Sequence, residues 1–126
     1  MSQILIIDDD TQVRLLLRKL LDHEGYEVRE ASNGKAGMKL NRENPADLVI
    51  TDLIMPEKEG LETIMELRKK YPKVKIIAIS GGGRNGPEDY LPMAKELGAQ
   101  LTFTKPFELK EMLAAVEKLL ELEIDV

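Results

Sequence analysis

The chain contains no cysteine. That excludes disulfides, thiolate metal sites and a cysteine nucleophile, and it fits a reducing compartment. It also lacks any apolar run approaching the roughly 20 residues of a membrane-spanning helix. No charged-then-apolar leader opens the sequence, so a cytoplasmic location away from membranes is expected. Positive charge is in short supply, with 18 basic residues against 23 acidic ones and a formal net charge of -5. A phosphate-backbone binder carries the opposite sign or a basic stripe. Here basic residues alternate with acids, as in Glu66-Leu67-Arg68-Lys69-Lys70, which reads as a solvated helix face. Nucleic-acid binding is therefore disfavoured. The single histidine, His23, falls late in a helical segment and reads as a surface residue.

What is present suffices for one domain with a real core: 126 residues, 43% of them hydrophobic. Short apolar runs alternate with longer segments of helical period. Ile4 to Ile7 reads as a buried strand, and from Thr11 a helix follows with Val13, Leu16, Leu17, Leu20 and Leu21 on one stripe. Tyr26 to Ala31 reads as a strand and Asn33 to Asn41 as a helix, closed before Pro45. Asp47 to Thr51 is a strand, Glu59 to Tyr71 a helix and Val74 to Ile79 a strand. A glycine-rich loop then leads to a helix, which should start near Leu91 with Pro92 in its first turn. Gln100 to Thr104 is the last strand. Phe107 to about Leu122 is the last helix, with Leu109, Met112, Leu113, Val116 and Leu120 on one face. Met38, Met65 and Met112 read as helix-face packing residues. Such alternation gives an α/β domain, a parallel sheet with helices on both faces, over residues 1–126.

Ligands of open parallel sheets bind beyond the carboxyl ends of the strands. Asp8-Asp9 follows the first strand, Asp52 the third, Ser80 the fourth and Lys105-Pro106 the fifth. Singly, an aspartate after a strand is a turn former or a helix N-cap, and Asp10 or Thr11 fits that role here. Three carboxylates on one edge are different. Two of them about 4 Å apart repel by roughly 4 kcal/mol at an effective dielectric near 20. Lys105 can neutralise only one charge. A hard divalent cation with oxygen ligands, magnesium above all, would resolve the rest, and magnesium directs attention to phosphoryl chemistry.

Ile4-Leu5-Ile6-Ile7-Asp8-Asp9, Thr51-Asp52-Leu53-Ile54-Met55-Pro56, Ile79-Ser80-Gly81 and Lys105-Pro106-Phe107, spaced as they are, resemble a response-regulator receiver domain over essentially the whole chain. The resemblance implies a flavodoxin-like, doubly wound (βα)5 three-layer sandwich with strand order 2-1-3-4-5. It implies that Asp52 is the nucleophile, taking a phosphoryl group from a histidine kinase or phosphotransfer protein. Asp9 and Asp52 would ligate Mg2+ directly, the Ile54 carbonyl would complete the protein's share, and Asp8 would act mainly through water. Lys105, joined to Pro106 by a cis bond, would hold a phosphoryl oxygen, and Ser80 would swing in once it arrives. The chain would be a stand-alone phosphoacceptor switch with only self-phosphorylation and autodephosphorylation chemistry, not an enzyme with a separate substrate. Its signal would leave through the fourth helix, fifth strand and fifth helix to a protein target, as a monomer or a phosphorylation-linked dimer.

Two departures stand out. The family commonly has an aromatic three residues before the lysine, where this chain has Thr102; Phe103 should point to the opposite face. The loop Gly81 to Pro87 is unusually rich in glycine, and Gly81, Gly83 and Gly86 formally match a dinucleotide-binding pattern. That pattern belongs after a first strand, and Pro87 stands where a phosphate loop needs lysine. A mobile loop with Arg84 near its tip is the better reading. The rival from another class is a phosphohydrolase of the haloacid-dehalogenase type, using Asp8-Asp9-Asp10 as its D-x-D with Asp8 as nucleophile. Gln12 stands where that motif needs Thr or Val. A binding module that no longer takes phosphate is disfavoured by the intact Asp52, Ser80 and Lys105 set.

Overall fold

A computed structural model describes residues 2–53, 59–81 and 91–124. Strands and helices alternate through them as β1 (Gln3–Ile7), α1 (Thr11–His23), β2 (Glu27–Ala31), α2 (Gly34–Glu43), β3 (Leu48–Asp52), α3 (Glu59–Lys70), β4 (Lys75–Ser80), α4 (Leu91–Leu97), β5 (Leu101–Thr104) and α5 (Leu109–Ile124). The strands form one parallel sheet in the order β2-β1-β3-β4-β5, as the resemblance implied. Right-handed crossovers dictate where the helices go. The step from β1 to β2 runs one way along the sheet, and every later step runs the other. So α1 lies on one face, joined by α5, while α2, α3 and α4 lie on the opposite face.

Successive side chains leave a strand on opposite sides, so each strand feeds both cores. In β1, Leu5 and Ile7 face α2, α3 and α4, while Ile4 and Ile6 face α1 and α5. Because both faces are covered, β1, β3 and β4 are apolar almost throughout and buried. Among the described residues no helix is long and apolar enough to cross a membrane.

Several boundaries differ from the sequence pattern for identifiable reasons. Asn33 is the N-cap of α2 and not its first helical residue, since its side chain accepts the Ala36 N–H at 2.8 Å. Asp10 caps α1 in the same way, accepting from the N–H groups of Gln12 and Val13. Gln100 precedes β5, and its side-chain oxygen accepts the Ile76 N–H at 2.8 Å. Phe107 precedes α5 and packs edge-on against Phe103, ring centroids 6.2 Å apart. Phe103 joins the α1–α5 core, leaving Thr102 for the other face, as strand alternation requires. Pro92 is the second residue of α4, where its missing N–H breaks no helical bond.

The buried stripe of α1 is narrower than its periodicity suggests. Leu17 and Leu21 are fully buried, whereas Leu16 is 46% exposed. At 3.6 residues per turn, neighbours diverge by about 100°, so Leu16 cannot share the direction of Leu17. Met65 is likewise 54% exposed and is not a packing residue, while Met38 and Met112 are buried. Leu17→Ala should therefore cost about 2–5 kcal/mol in chemical denaturation, and Leu16→Ala about 0.5 kcal/mol or less. Equal losses would mean that both leucines pack.

Candidate functional site

The order of the strands reverses between β1 and β3, and the helices beside that reversal lie on opposite faces, leaving a crevice at the carboxyl ends. β1 and β3 pair with Ile7 opposite Thr51. The next residue on each strand therefore meets the other across the crevice, and these are Asp8 and Asp52. One oxygen each from Asp8, Asp9 and Asp52 lie within 4.8 Å of one another. Asp8 is 1% exposed and Asp52 3%, while Asp9 faces solvent. Asp52 pairs with Ile79, which sets Ser80 beside the same crevice, and Ser80 pairs with Thr104, which delivers Lys105.

Lys105 lies between the two buried acids. Its Nζ stands 2.9 Å from Asp8 Oδ2 and 3.3 Å from Asp52 Oδ2. Burial alone would lower the ammonium's pKa, but the hydrogen bond to Asp8 and the charges of Asp52 and Asp8 outweigh it. The net shift is above the ordinary lysine value of 10.5. Lys105 thus bridges two of the three carboxylates. The Lys105–Pro106 bond is cis. Its backbone N–H donates to the Ser80 carbonyl at 2.9 Å, extending the β4–β5 ladder past the end of β5. The Ser80 hydroxyl is fully buried and has no hydrogen-bond partner among the described residues.

Asp52 and Ser80 are the last residues of their strands, one position further than the apolar runs indicate. Ladder bonding continues beyond the hydrophobic residues: the Leu53 N–H donates to the Ile79 carbonyl at 2.8 Å. Both side chains consequently stand on rigid sheet. Ile54 lies outside the described residues, as do Gly83, Arg84, Gly86 and Pro87 of the glycine-rich loop. His23 is on the surface, its Nδ1 3.4 Å from Glu24 Oε2.

Two features of the site escaped the sequence pattern. Gly60, the second residue of α3, lies so close to the end of β3 that a Cβ there would sit 2.3 Å from the Asp52 carbonyl oxygen and 2.5 Å from Leu53 Cα. The signal was available, because a glycine inside a helical run costs about 1 kcal/mol and needs a packing reason. The second feature is a three-residue ionic group. Glu30 of β2 receives Arg14 Nε and Arg18 Nη1, each at 3.0 Å. Burial would raise the Glu30 carboxyl, but the hydrogen bonds from Arg18 and Arg14 hold it below the usual range. Nothing in the sequence brings β2 to α1, so this pairing is visible only in the fold.

The sequence matches the family model of the response regulator receiver domain over residues 4–117. It is 32% identical over 122 residues to sporulation initiation phosphotransferase F of Bacillus subtilis, covering 97% of this chain and 96% of that protein. It is 34% identical over 120 residues to the transcriptional regulatory protein CpxR of Klebsiella pneumoniae, covering 95% of this chain but only 50% of the longer relative. Among solved structures, a response regulator receiver domain protein from Clostridium thermocellum superposes with a TM-score of 0.88 at 29% identity, covering 98% of this chain and 97% of that one.

Gly60→Ala should lower stability by about 1–3 kcal/mol through overpacking, although an exposed helical glycine replaced by alanine ordinarily gains up to about 1 kcal/mol. A gain in chemical denaturation would mean that α3 lifts freely from Asp52. Lys105 generates a pH prediction. Its folded pKa is raised, so its stabilising effect is complete below the ordinary 10.5 and is lost as pH climbs through the raised value. In EDTA, wild type should be more stable than Lys105→Met at neutral pH, and the gap should close above pH 10.5. A gap of constant size across that range would contradict the ion-pair assignment.

Proposed function

The chain belongs to the response regulator receiver family of two-component signalling, and on that premise we propose that Asp52 is its phosphoacceptor and Mg2+ its cofactor. The observation that carries this reading is the convergence of Asp8, Asp9 and Asp52, two of them paired with the Lys105 ammonium. Three carboxylates whose oxygens lie within 4.8 Å of one another, two of them paired with Lys105 among the described residues, suit a divalent ion of the magnesium class. When bound, that ion would draw charge from the transferring group. Asp8, Asp9 and Asp52 would hold it, with the Ile54 carbonyl as a further ligand and Asp8 acting mainly through water.

A carboxylate is a weak nucleophile, so rate must come from alignment and charge neutralisation. β3 holds Asp52 at a fixed place at the mouth of the crevice. An Asp52 oxygen forms a bond to phosphorus as the phosphorus–nitrogen bond of a phosphohistidine donor breaks, and the released imidazole takes up a proton from solvent. Lys105, now shared between Asp8 and Asp52, is within reach of the incoming phosphoryl oxygens. Ser80 then donates the hydrogen bond that has no acceptor among the described residues in the resting state. Each of these contacts exists only in the phosphorylated state and therefore shifts the conformational equilibrium. Because Ser80 and Lys105 end β4 and adjoin β5, that shift is passed to the α4–β5–α5 face, where a protein target reads it. A histidine kinase or phosphotransfer protein is the donor, and the location is the cytoplasm. The protein acts as a switch and turns over no separate substrate.

Intact-mass measurement with acetyl phosphate tests this directly. Wild type should gain one phosphoryl group in Mg2+ and none in EDTA, and Asp52→Asn should gain none in either. An adduct that persists in Asp52→Asn but disappears in Asp8→Asn would favour the phosphohydrolase chemistry instead.

A further inference from the structure

The three acids of the site are not equally anchored. Asp52 stands on β3, and Asp8 is buried against Lys105. Asp9 is the exposed one, on the turn between β1 and α1, and its direction depends on how that turn is held. The Asp8 N–H donates to the Ala31 carbonyl of β2 at 3.1 Å, and Asp8 Oδ1 accepts the Asp10 N–H at 2.8 Å. These bonds fix the start and the end of the turn. The peptide plane between Asp8 and Asp9 is fixed by a third bond, from Arg14 Nη1 to the Asp8 carbonyl oxygen at 2.7 Å.

Arg14 can do this because it is itself held. Its Nε donates to Glu30 Oε1 at 3.0 Å, and its side chain is only 16% exposed. Glu30 is in turn held by Arg18 at 3.0 Å and placed by β2, which pairs it with Ile6 of β1. The guanidinium is a rigid planar fork, so the position of its Nε at Glu30 dictates where Nη1 points. One end of the fork reads β2 and the other aims the peptide that carries Asp9.

We infer that Arg14, held by Glu30, is a positioning residue for metal uptake: it locks the Asp8–Asp9 peptide so that the exposed Asp9 carboxylate is aimed at the crevice before a cation arrives. The inference rests on the receiver reading, in which Asp9 is a metal ligand. Its distinctive consequence is one of sign. Arg14 is a cation close to a site that must bind another cation. If it acted through charge alone, removing it would strengthen Mg2+ binding. If it acts by aiming Asp9, removing it weakens binding despite the relief of repulsion. Groups that orient metal ligands typically contribute about 10–100-fold in affinity.

The test is titration calorimetry of Mg2+ into the full chain for wild type, Arg14→Met and Arg14→Lys, each first shown by its melting curve in EDTA to be folded. Arg14→Lys keeps the charge but lacks the fork, and it is the variant of choice if Arg14→Met does not fold. Both variants should bind Mg2+ about tenfold more weakly than wild type. An affinity equal to or above wild type in either variant overturns the inference, since it would mean that charge or nothing at all is being exerted. A metal-free readout runs alongside, the 15N relaxation of the Asp9 amide in EDTA. That amide should be as ordered as its neighbours in wild type and more mobile in both variants, with β1 and α1 amides unchanged. An Asp9 amide that stays equally ordered in the variants also overturns it. A wild type that takes up no Mg2+ at all would bring down the receiver chemistry first and this inference with it, an outcome distinct from variants that match a binding wild type.

Discussion

Three carboxylates converge on one crevice while, among the described residues, one ammonium pairs with two of them, and the rest of the molecule is arranged around that imbalance. Asp8 and Asp52 are almost completely buried, and charges removed from water are costly unless they are paired. Lys105 pairs with both at 2.9 and 3.3 Å, and Asp9 remains in solvent, where its charge is cheapest. The arrangement is stable enough to persist and unbalanced enough to welcome a cation. A fully neutralised cluster would be a structural ion pair with no further chemistry. Its raised lysine pKa and its excess of acid are the same fact seen from two sides.

Such a cluster needs a scaffold that cannot relax away from it. The sheet supplies one because its strands are buried on both faces, with Ile4, Leu5, Ile6 and Ile7 on β1 and Ile76, Ile77, Ala78 and Ile79 on β4 among the least accessible residues of the chain. Close packing leaves little room for the strand ends to drift. Gly60 extends the same logic to α3, which could not sit against the Asp52 backbone if its second residue carried a side chain. Repulsion at the site is thus resisted by apolar burial elsewhere.

Much of this was legible in the sequence, and the reasons differ by residue. The fold class and the gathering of Asp8, Asp9, Asp52, Ser80 and Lys105 at one sheet edge could be read because a parallel sheet announces itself by fully apolar runs, and the residues just after them share its carboxyl edge. The exact strand ends could not be read, since hydrophobicity stops at Thr51 and Ile79 while the hydrogen-bond ladder runs on through Asp52 and Ser80. Leu16 was misplaced because its hydrophobicity suits the stripe while its angular position does not. The Arg14–Glu30–Arg18 group was invisible for another reason. It joins residues from two elements whose pairing exists only after the sheet has formed, and charged residues on a helix and an alternating strand look like ordinary solvated surface.

On the proposed phosphoacceptor reading, the resting site also contains part of the energy of its own switch. The Ser80 hydroxyl is buried with no partner among the described residues, a condition that costs about 1–3 kcal/mol. An acceptor placed on Asp52 would remove that cost and offer Lys105 a further anion beside the two carboxylates it already pairs with. Moving a two-state equilibrium from 1:99 to 99:1 takes about 5.5 kcal/mol, and charge-assisted hydrogen bonds contribute about 1.5–3 kcal/mol each. Two or three such contacts are therefore enough. Thr102 matters in this light, because the aromatic that the resemblance leads one to expect there is replaced by a small hydroxyl side chain, and Phe103 packs on the other face against Phe107. On the proposed phosphoacceptor reading, the switch of this chain draws its free-energy difference from Ser80 and Lys105. The backbones that carry these two side chains are held in register by the bond from the Lys105 N–H to the Ser80 carbonyl.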